Sequence, residues 1–175
     1  SLTLIGTAKG EGSTFVVRLR SMATASGAPK VRVEPRGLEV LNSHPLKCMR
    51  VLVVEDSADN QVLLRHILTR AGAEVISAAD GIEGMELAEL SHPDLVLMDI
   101  QMPHISGLDL IEAMRAEDSL TTTPIMAVTA YAGKGDEARV KAAGADAFVS
   151  KPITLARFMQ SIEALTAHLD RKLPH

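Results

Sequence analysis

The sequence predicts an α/β fold: a doubly wound, five-stranded parallel sheet with helices on both faces, preceded by a short hairpin and a linker. Three observations predict it. From Met49 onward, five short apolar runs alternate with five helix-like segments, the pattern of βαβ units. The runs Val51-Leu52-Val53-Val54 and Leu95-Val96-Leu97-Met98 are aliphatic without alternation, as in strands covered on both faces. Both runs end in acid, Glu55-Asp56 and Asp99, and the carboxyl ends of parallel strands are where open α/β sheets place their chemistry.

The expected strands are residues 50–54, 74–78, 94–99, 124–129 and 146–150. Between the first two, Asp59-Asn60 opens a helix that runs through Ala71 and stops at Gly72, with a sensible cap at each end. Further helices are expected over 81–91, 107–117, 134–143 and 153–169. In the last, Leu155, Phe158, Met159, Ile162, Leu165 and Leu169 recur at three- and four-residue steps and give one apolar stripe for the sheet. Right-handed crossovers leave strand order 2-1-3-4-5 as the most economical arrangement, an order borrowed from known sheets of this type, with its crevice between strands 1 and 3. That crevice receives Asp56 and Asp99.

Residues 1–20 differ in character. Leu2–Ile5 and Thr14–Leu19 read as two strands joined around Gly10-Glu11-Gly12, and a lone hairpin is marginal in water. Residues 21–48 mix Ala, Ser, Gly, Pro and charge, with Gly27-Ala28-Pro29, Glu34-Pro35-Arg36-Gly37 and His44-Pro45 as breakers, and read as a linker. The chain starts at Ser1 and not at Met, which leads us to expect a segment of a longer protein. The boundaries expected are therefore 1–20 for the hairpin, 21–48 for the linker, 49–170 for the main domain and 171–175 for a tail.

Bulk properties narrow the function classes. The 175 residues, 46% hydrophobic with three Phe, one Tyr and no Trp, are enough for one ordinary core. No run approaches the ~18 apolar residues of a membrane span, so no direct membrane contact is expected. The start lacks a secretory layout, and one cysteine, Cys48, fits a reducing, cytoplasmic setting. The net charge of −4 conceals an asymmetry: residues 1–48 carry seven Lys/Arg against three Asp/Glu, and residues 49–175 eleven against nineteen. An acidic domain without a basic, aromatic-studded patch argues against binding nucleic acid. The six histidines are scattered, form no ligand pair and are expected at the surface.

At the carboxyl rim of the expected sheet stand, in chain order, Glu55-Asp56, Asp99, Thr129 and Lys151-Pro152. Singly, Asp56 reads equally as a helix cap, Thr129 as a strand residue and Lys151 as solvated surface. Together, four strand ends carrying acid, acid, hydroxyl and amine point to a site. Ionised carboxylates at close range repel, so the trio requires a strongly raised pKa or a hard cation such as Mg²⁺ or Mn²⁺. Asp99, central and flanked by a cation, is the natural nucleophile, a carboxylate that takes a phosphoryl group as a mixed anhydride. Asp56, Asp99 and the backbone carbonyl of Gln101 would hold the metal, Glu55 would act through a water, Lys151 would supply opposite charge and Thr129 a hydroxyl donor. Phosphoryl transfer needs little else.

Val53-Val54-Glu55-Asp56-Ser57-Ala58-Asp59-Asn60-Gln61, Leu97-Met98-Asp99-Ile100-Gln101-Met102-Pro103-His104-Ile105-Ser106-Gly107, Pro124-Ile125-Met126-Ala127-Val128-Thr129-Ala130 and Val149-Ser150-Lys151-Pro152 resemble response-regulator receiver domains, particularly those attached to hybrid sensor kinases. The match runs from about Met49 to Ala167. Residues 1–20, with Gly10-Glu11-Gly12-Ser13-Thr14-Phe15, resemble the closing hairpin of a histidine-kinase ATP-binding domain. The resemblance implies a flavodoxin-like sheet, Asp99 as phosphoacceptor, Glu55 and Asp56 as the acidic pair, Thr129 as the switch hydroxyl, Lys151 as the phosphate-pairing amine and Phe148 at the aromatic switch position. It also implies a phosphohistidine of a sensor kinase and a histidine-phosphotransfer domain as partners. The parent would be a phosphotransferase, while this chain, lacking the kinase core, would have at most self-phosphorylation and autodephosphorylation.

Two departures stand out: the pair is Glu-Asp where many receivers have Asp-Asp, and Phe148 lacks the hydroxyl of a tyrosine. Gln101 and Tyr131, two residues beyond Asp99 and Thr129, are expected to set the lifetime of the phosphoryl group. A dehalogenase-type phosphatase shares the Asp nucleophile, Mg²⁺, Thr and Lys, but requires a second Asp where Gln101 stands and carries its acidic pair late in the chain. An FMN-binding module is a weaker alternative, since Glu55-Asp56-Ser57 would repel a phosphate lacking a metal.

Overall fold

The computed structural model describes residues 2–8, 12–17, 44–130 and 133–167. Most of the expected linker, Tyr131, Leu169 and the tail lie outside these residues. The chain divides into two units. The first contains a two-stranded antiparallel sheet, β1 (Leu2–Ala8) and β2 (Gly12–Val17), paired from Leu2 with Val17 to Ala8 with Gly12 and interrupted by a register shift between Leu4 and Gly6.

The second unit is β3 (Arg50–Val54), α1 (Ala58–Arg70), β4 (Glu74–Ala78), α2 (Gly81–Ser91), β5 (Leu95–Asp99), α3 (Gly107–Ala116), β6 (Ile125–Thr129), α4 (Lys134–Ala142), β7 (Ala147–Ser150) and α5 (Leu155–Thr166). Its five strands are all parallel in order β4-β3-β5-β6-β7, which is 2-1-3-4-5 within the domain, as expected. β5 and β6 are buried at every residue, and β3 at all but its first, because helices cover both faces. The edge strands β4 and β7 are only partly covered. Alternate residues feed two cores: Val51, Val53, Leu95, Leu97 and Met126 pack with Leu64 and Leu68 of α1 and Phe158, Met159 and Ile162 of α5. Leu52, Val54, Val96, Met98 and Ala127 pack with residues of α2, α3 and α4 on the other face, Phe148 against them.

Sequence explains the punctuation. Asp80 caps α2 by accepting from the N–H groups of Ile82 and Glu83, and Glu83 returns the bond to Ala79 N. Gly72 takes φ +96° past the end of α1, a left-handed position that favours glycine. α1 begins at Ala58, so Asp59 and Asn60 fall inside its first turn and do not open it. α5 is shorter than the stretch 153–169, because Thr154 is still extended.

At the amino edge of the sheet two acids fasten neighbouring strands. Asp94, just before β5, accepts from Arg50 N at the start of β3 (2.7 Å), and Asp146, just before β7, accepts from Ile125 N at the start of β6 (2.8 Å). Arg115, at the end of α3, joins this edge: its guanidinium donates to the carbonyls of Gly144 (2.9 Å), Leu120 (3.1 Å) and Thr123 (2.8 Å) and pairs with Asp146 Oδ2 at 2.7 Å.

Candidate functional site

Glu55, Asp56, Asp99, Gln101, Thr129 and Lys151 lie at the opposite, carboxyl edge, whereas Phe148 sits within β7. Parallel pairing brings the ends of β3, β5 and β6 level, with Val54 beside Met98 and Asp99 beside Val128. Glu55 follows β3, Asp99 ends β5, Thr129 ends β6 and Lys151 follows β7. Glu55, Asp99 and Thr129 are buried at 1%, 3% and 3% exposure, whereas Asp56 is exposed. Buried acids in a low-dielectric site need partners.

The partner is Lys151. Its ammonium donates to Asp99 Oδ2 at 2.6 Å and to Glu55 Oε2 at 3.0 Å, bridging side chains 52 and 96 residues away in sequence. Burial acts to lower the Lys151 pKa, but the hydrogen bonds to Asp99 and Glu55 and their negative charges outweigh it and hold the amine above its ordinary 10.5. Asp99 Oδ1 accepts from Gln101 N at 2.9 Å, so both oxygens of this carboxylate are engaged. The backbone N–H of Lys151 donates to Thr129 O at 2.7 Å, which ties the lysine to the strand that carries the hydroxyl. The Lys151-Pro152 peptide is cis.

Oxygens of Glu55, Asp56 and Asp99 lie within 4.8 Å of one another. Three hard oxygen donors at that spacing suit Mg²⁺ or Mn²⁺ better than a softer, nitrogen- or sulfur-seeking metal, and the single Lys151 ammonium leaves the trio with net negative charge to be neutralised. The donor set therefore fits the expected cation. The four described histidines, His44, His66, His92 and His104, are exposed and stand apart from it. Phe148 lies on β7 beside Ala127, half-buried, and lines a small recess with Ser150, Thr154 and Arg157.

Three residues not expected at the site border it. Asn60 Nδ2 donates to Glu55 Oε1 at 2.8 Å, and Gln61 Nε2 bridges Glu55 O (2.6 Å) and Ala78 O (3.1 Å). Gly107 starts α3 directly against the end of β5: a Cβ there would stand 2.2 Å from Asp99 O and 2.8 Å from Ile100 Cα. Its place eight residues after Asp99, before a helical pattern, is the only sequence signal for that contact.

A cavity of about 240 Å³ opens beside the site, lined by Glu55, Asn60, Leu63, Leu64, Lys151, Pro152 and Ile153. Nearby on α1, Val62 and Leu63 are exposed. Among the described residues no helix is long and apolar enough to cross a membrane.

Comparison with known proteins agrees with this fold. The chain is 42% identical over 114 residues to the polar-differentiation response regulator DivK of Brucella ovis, covering 65% of this chain and 93% of that one. It is similar in structure to the receiver domain of the sensor histidine kinase PA1611 from Pseudomonas aeruginosa, solved with a magnesium ion coordinated in its active site cleft (TM-score 0.64, 30% identity, 68% of this chain and 98% of that one). It is also similar to the signal receiver domain of a signal transduction histidine kinase from Syntrophus aciditrophicus (TM-score 0.66, 27% identity, 73% and 97%). The family model for the response regulator receiver domain matches residues 51–163, and with the sheet order and the acid rim already in place the chain belongs to that family.

Proposed function

We propose that Asp99 is the phosphoacceptor of this receiver domain and takes its phosphoryl group from the phosphohistidine of a sensor kinase. The observation that carries the reading is the Lys151 ammonium 2.6 Å from Asp99 Oδ2, on a rim where Glu55 and Asp56 add two more carboxylates within 4.8 Å. In the transfer, an Asp99 carboxylate oxygen attacks phosphorus, the P–N bond to the imidazole breaks, and its electron pair stays on the ring nitrogen. Lys151 offsets charge on the phosphoryl oxygens, and the Thr129 hydroxyl donates to one of them. A bound Mg²⁺ or Mn²⁺ would supply the remaining charge neutralisation, held by Asp56, Asp99 and the Gln101 carbonyl, with Glu55 acting through a water. The magnesium in the PA1611 receiver supports that assignment.

Engagement of Thr129 by the phosphoryl group vacates space behind it for the Phe148 ring, and the face from β6 to α5 changes shape. With no ring hydroxyl, the shift rests on packing alone. We further propose that residues 1–20 are the end of a histidine-kinase ATP-binding domain, 21–48 a linker, 49–170 the receiver and 171–175 a tail, in a cytoplasmic hybrid-kinase setting with a histidine-phosphotransfer domain downstream and no nucleic-acid partner. The antiparallel pairing of β1 with β2 and the likeness to two kinase-borne receivers support this.

Acetyl phosphate with Mg²⁺ should add ~80 Da to the intact chain, the mass of one phosphoryl group, and nothing to Asp99→Ala. An unmodified wild type, or a modified Asp99→Ala, would refute the assignment. Turnover of a generic phosphate monoester, lost in Asp99→Asn, would instead favour the phosphatase reading.

A further inference from the structure

Glu55 carries one methylene more than an aspartate and therefore one more torsion to be fixed, yet it is 1% exposed and both of its oxygens are engaged: Oε1 accepts from Asn60 Nδ2 at 2.8 Å and Oε2 from Lys151 Nζ at 3.0 Å. Lys151 meets Glu55 at Oε2 while also donating to Asp99 Oδ2 at the shorter distance of 2.6 Å, which leaves Oε1 to another donor. Among the described residues, the Asn60 amide is the group that donates to Glu55 Oε1. It comes from the first turn of α1, five residues along, and is itself partly buried. An amide suits the task where a carboxylate would not, since it donates without adding charge to an already acidic rim. Gln61 reinforces the arrangement by holding the Glu55 backbone carbonyl at 2.6 Å.

We propose that Asn60 is a positioning residue of the phosphoacceptor site: its amide holds the long Glu55 side chain in the orientation that shares Lys151 with Asp99 and presents the acid to a divalent cation. The inference rests on the reading of Glu55, Asp56 and Asp99 as a cation site and adds to it a residue acting through Glu55. Removing a group that orients a ligand in this way lowers metal affinity by roughly 10–100-fold. Because the effect passes through Glu55, it should vanish when Glu55 is shortened. An aspartate falls about 1.5 Å short, one C–C bond, and withdraws from the Asn60 amide.

The test is a double-mutant cycle on the full chain, with Mn²⁺ binding followed by the electron paramagnetic resonance signal of the free ion. Asn60→Leu should weaken Mn²⁺ binding roughly tenfold and, because a buried Glu55 oxygen loses its donor, also lower the metal-free melting midpoint, so the cycle with Glu55 and not stability alone carries the test. Asn60→Ser, too short to reach Glu55 but polar and easily housed in a first helical turn, should weaken binding equally. In the Glu55→Asp background either substitution should change affinity by less than about twofold. Wild-type affinity in Asn60→Leu and Asn60→Ser, or an equal loss in both backgrounds, would overturn the assignment of Asn60 and leave the cation site standing. Failure of the wild type to bind Mn²⁺, with Asp56→Asn no different, would overturn the site reading and this inference with it.

Discussion

Replacing Gly107 by alanine drives a methyl carbon into the backbone that carries Asp99. The added Cβ would lie 2.2 Å from Asp99 O and 2.8 Å from Ile100 Cα, whereas a carbon normally keeps ~3.3 Å from a carbonyl oxygen. About 1 Å must therefore open between α3 and the end of β5. No flexible side chain can yield, since the opposing atoms are backbone atoms of Asp99, the last residue of a strand buried at all five positions, and of Ile100 just after it. Overpacking of this kind costs about 1–3 kcal/mol, and a clash with backbone places it at the upper end. A loss of about 3 kcal/mol corresponds to a fall of about 10 °C in melting temperature for a domain of this size. Displacing the acceptor carboxylate by about 1 Å should also slow phosphoryl uptake about 10²-fold. Urea unfolding and the rate of ~80 Da addition from acetyl phosphate measure the two effects. Gly135→Ala is the control: nothing lies within 4 Å of a Cβ there, and the change in the first turn of α4 should be neutral or stabilising by up to about 1 kcal/mol. If Gly107→Ala unfolds within about 0.5 kcal/mol of the wild type and accepts phosphate at the same rate, the close approach does not position Asp99.

Four further outcomes are expected. The raised pKa of Lys151 makes its stabilising contribution fully present below 10.5 and lost as pH climbs through the folded-state value; the alkaline decline in urea stability should be smaller in Lys151→Met, which at neutral pH should be about 3 kcal/mol less stable for want of a counter-charge to two buried acids. Mg²⁺ at 100 times its dissociation constant should stabilise the domain by about 2.7 kcal/mol in thermal unfolding, an increment absent from Asp56→Asn. Arg115→Ala should cost about 3 kcal/mol in urea by stranding the carbonyls of Gly144, Leu120 and Thr123, and Arg115→Lys should not restore it, since an ammonium cannot span the same fork. The chain should bind no ATP, and micromolar binding in a calorimeter would contradict that.

The sheet was legible because burial leaves a mark in composition. Strands covered on both faces must be aliphatic throughout, so β3 and β5 stand out, and β3 and β4 fall on the expected residues 50–54 and 74–78. The later strands begin one residue after their expected starts, since Asp94 and Asp146 spend their side chains on neighbouring strands and Pro124 precedes β6. α5 was overdrawn at its start because its apolar stripe says nothing about Ile153 and Thr154, which are still turning away from Pro152. The residues of the rim could be named from strand ends alone, for parallel register forces such ends together. What could not be read is whatever depends on a side chain's aim: Asn60 looks like a helix opener until its amide is seen on Glu55, and Gly107 looks like a turn glycine until the Asp99 carbonyl is seen above it.

The fasteners at the amino edge, Asp94 on Arg50, Asp146 on Ile125 and the Arg115 fork, make the domain behave as a fan hinged at its handle. At the other edge the strand ends are held through Lys151 and Gln61, so a disturbance introduced among the acids loosens that edge while the stapled one stays put. Amides inside β5 and β6, buried at every residue beyond those staples, should accordingly be among the slowest to exchange with solvent, whatever the state of the opposite rim.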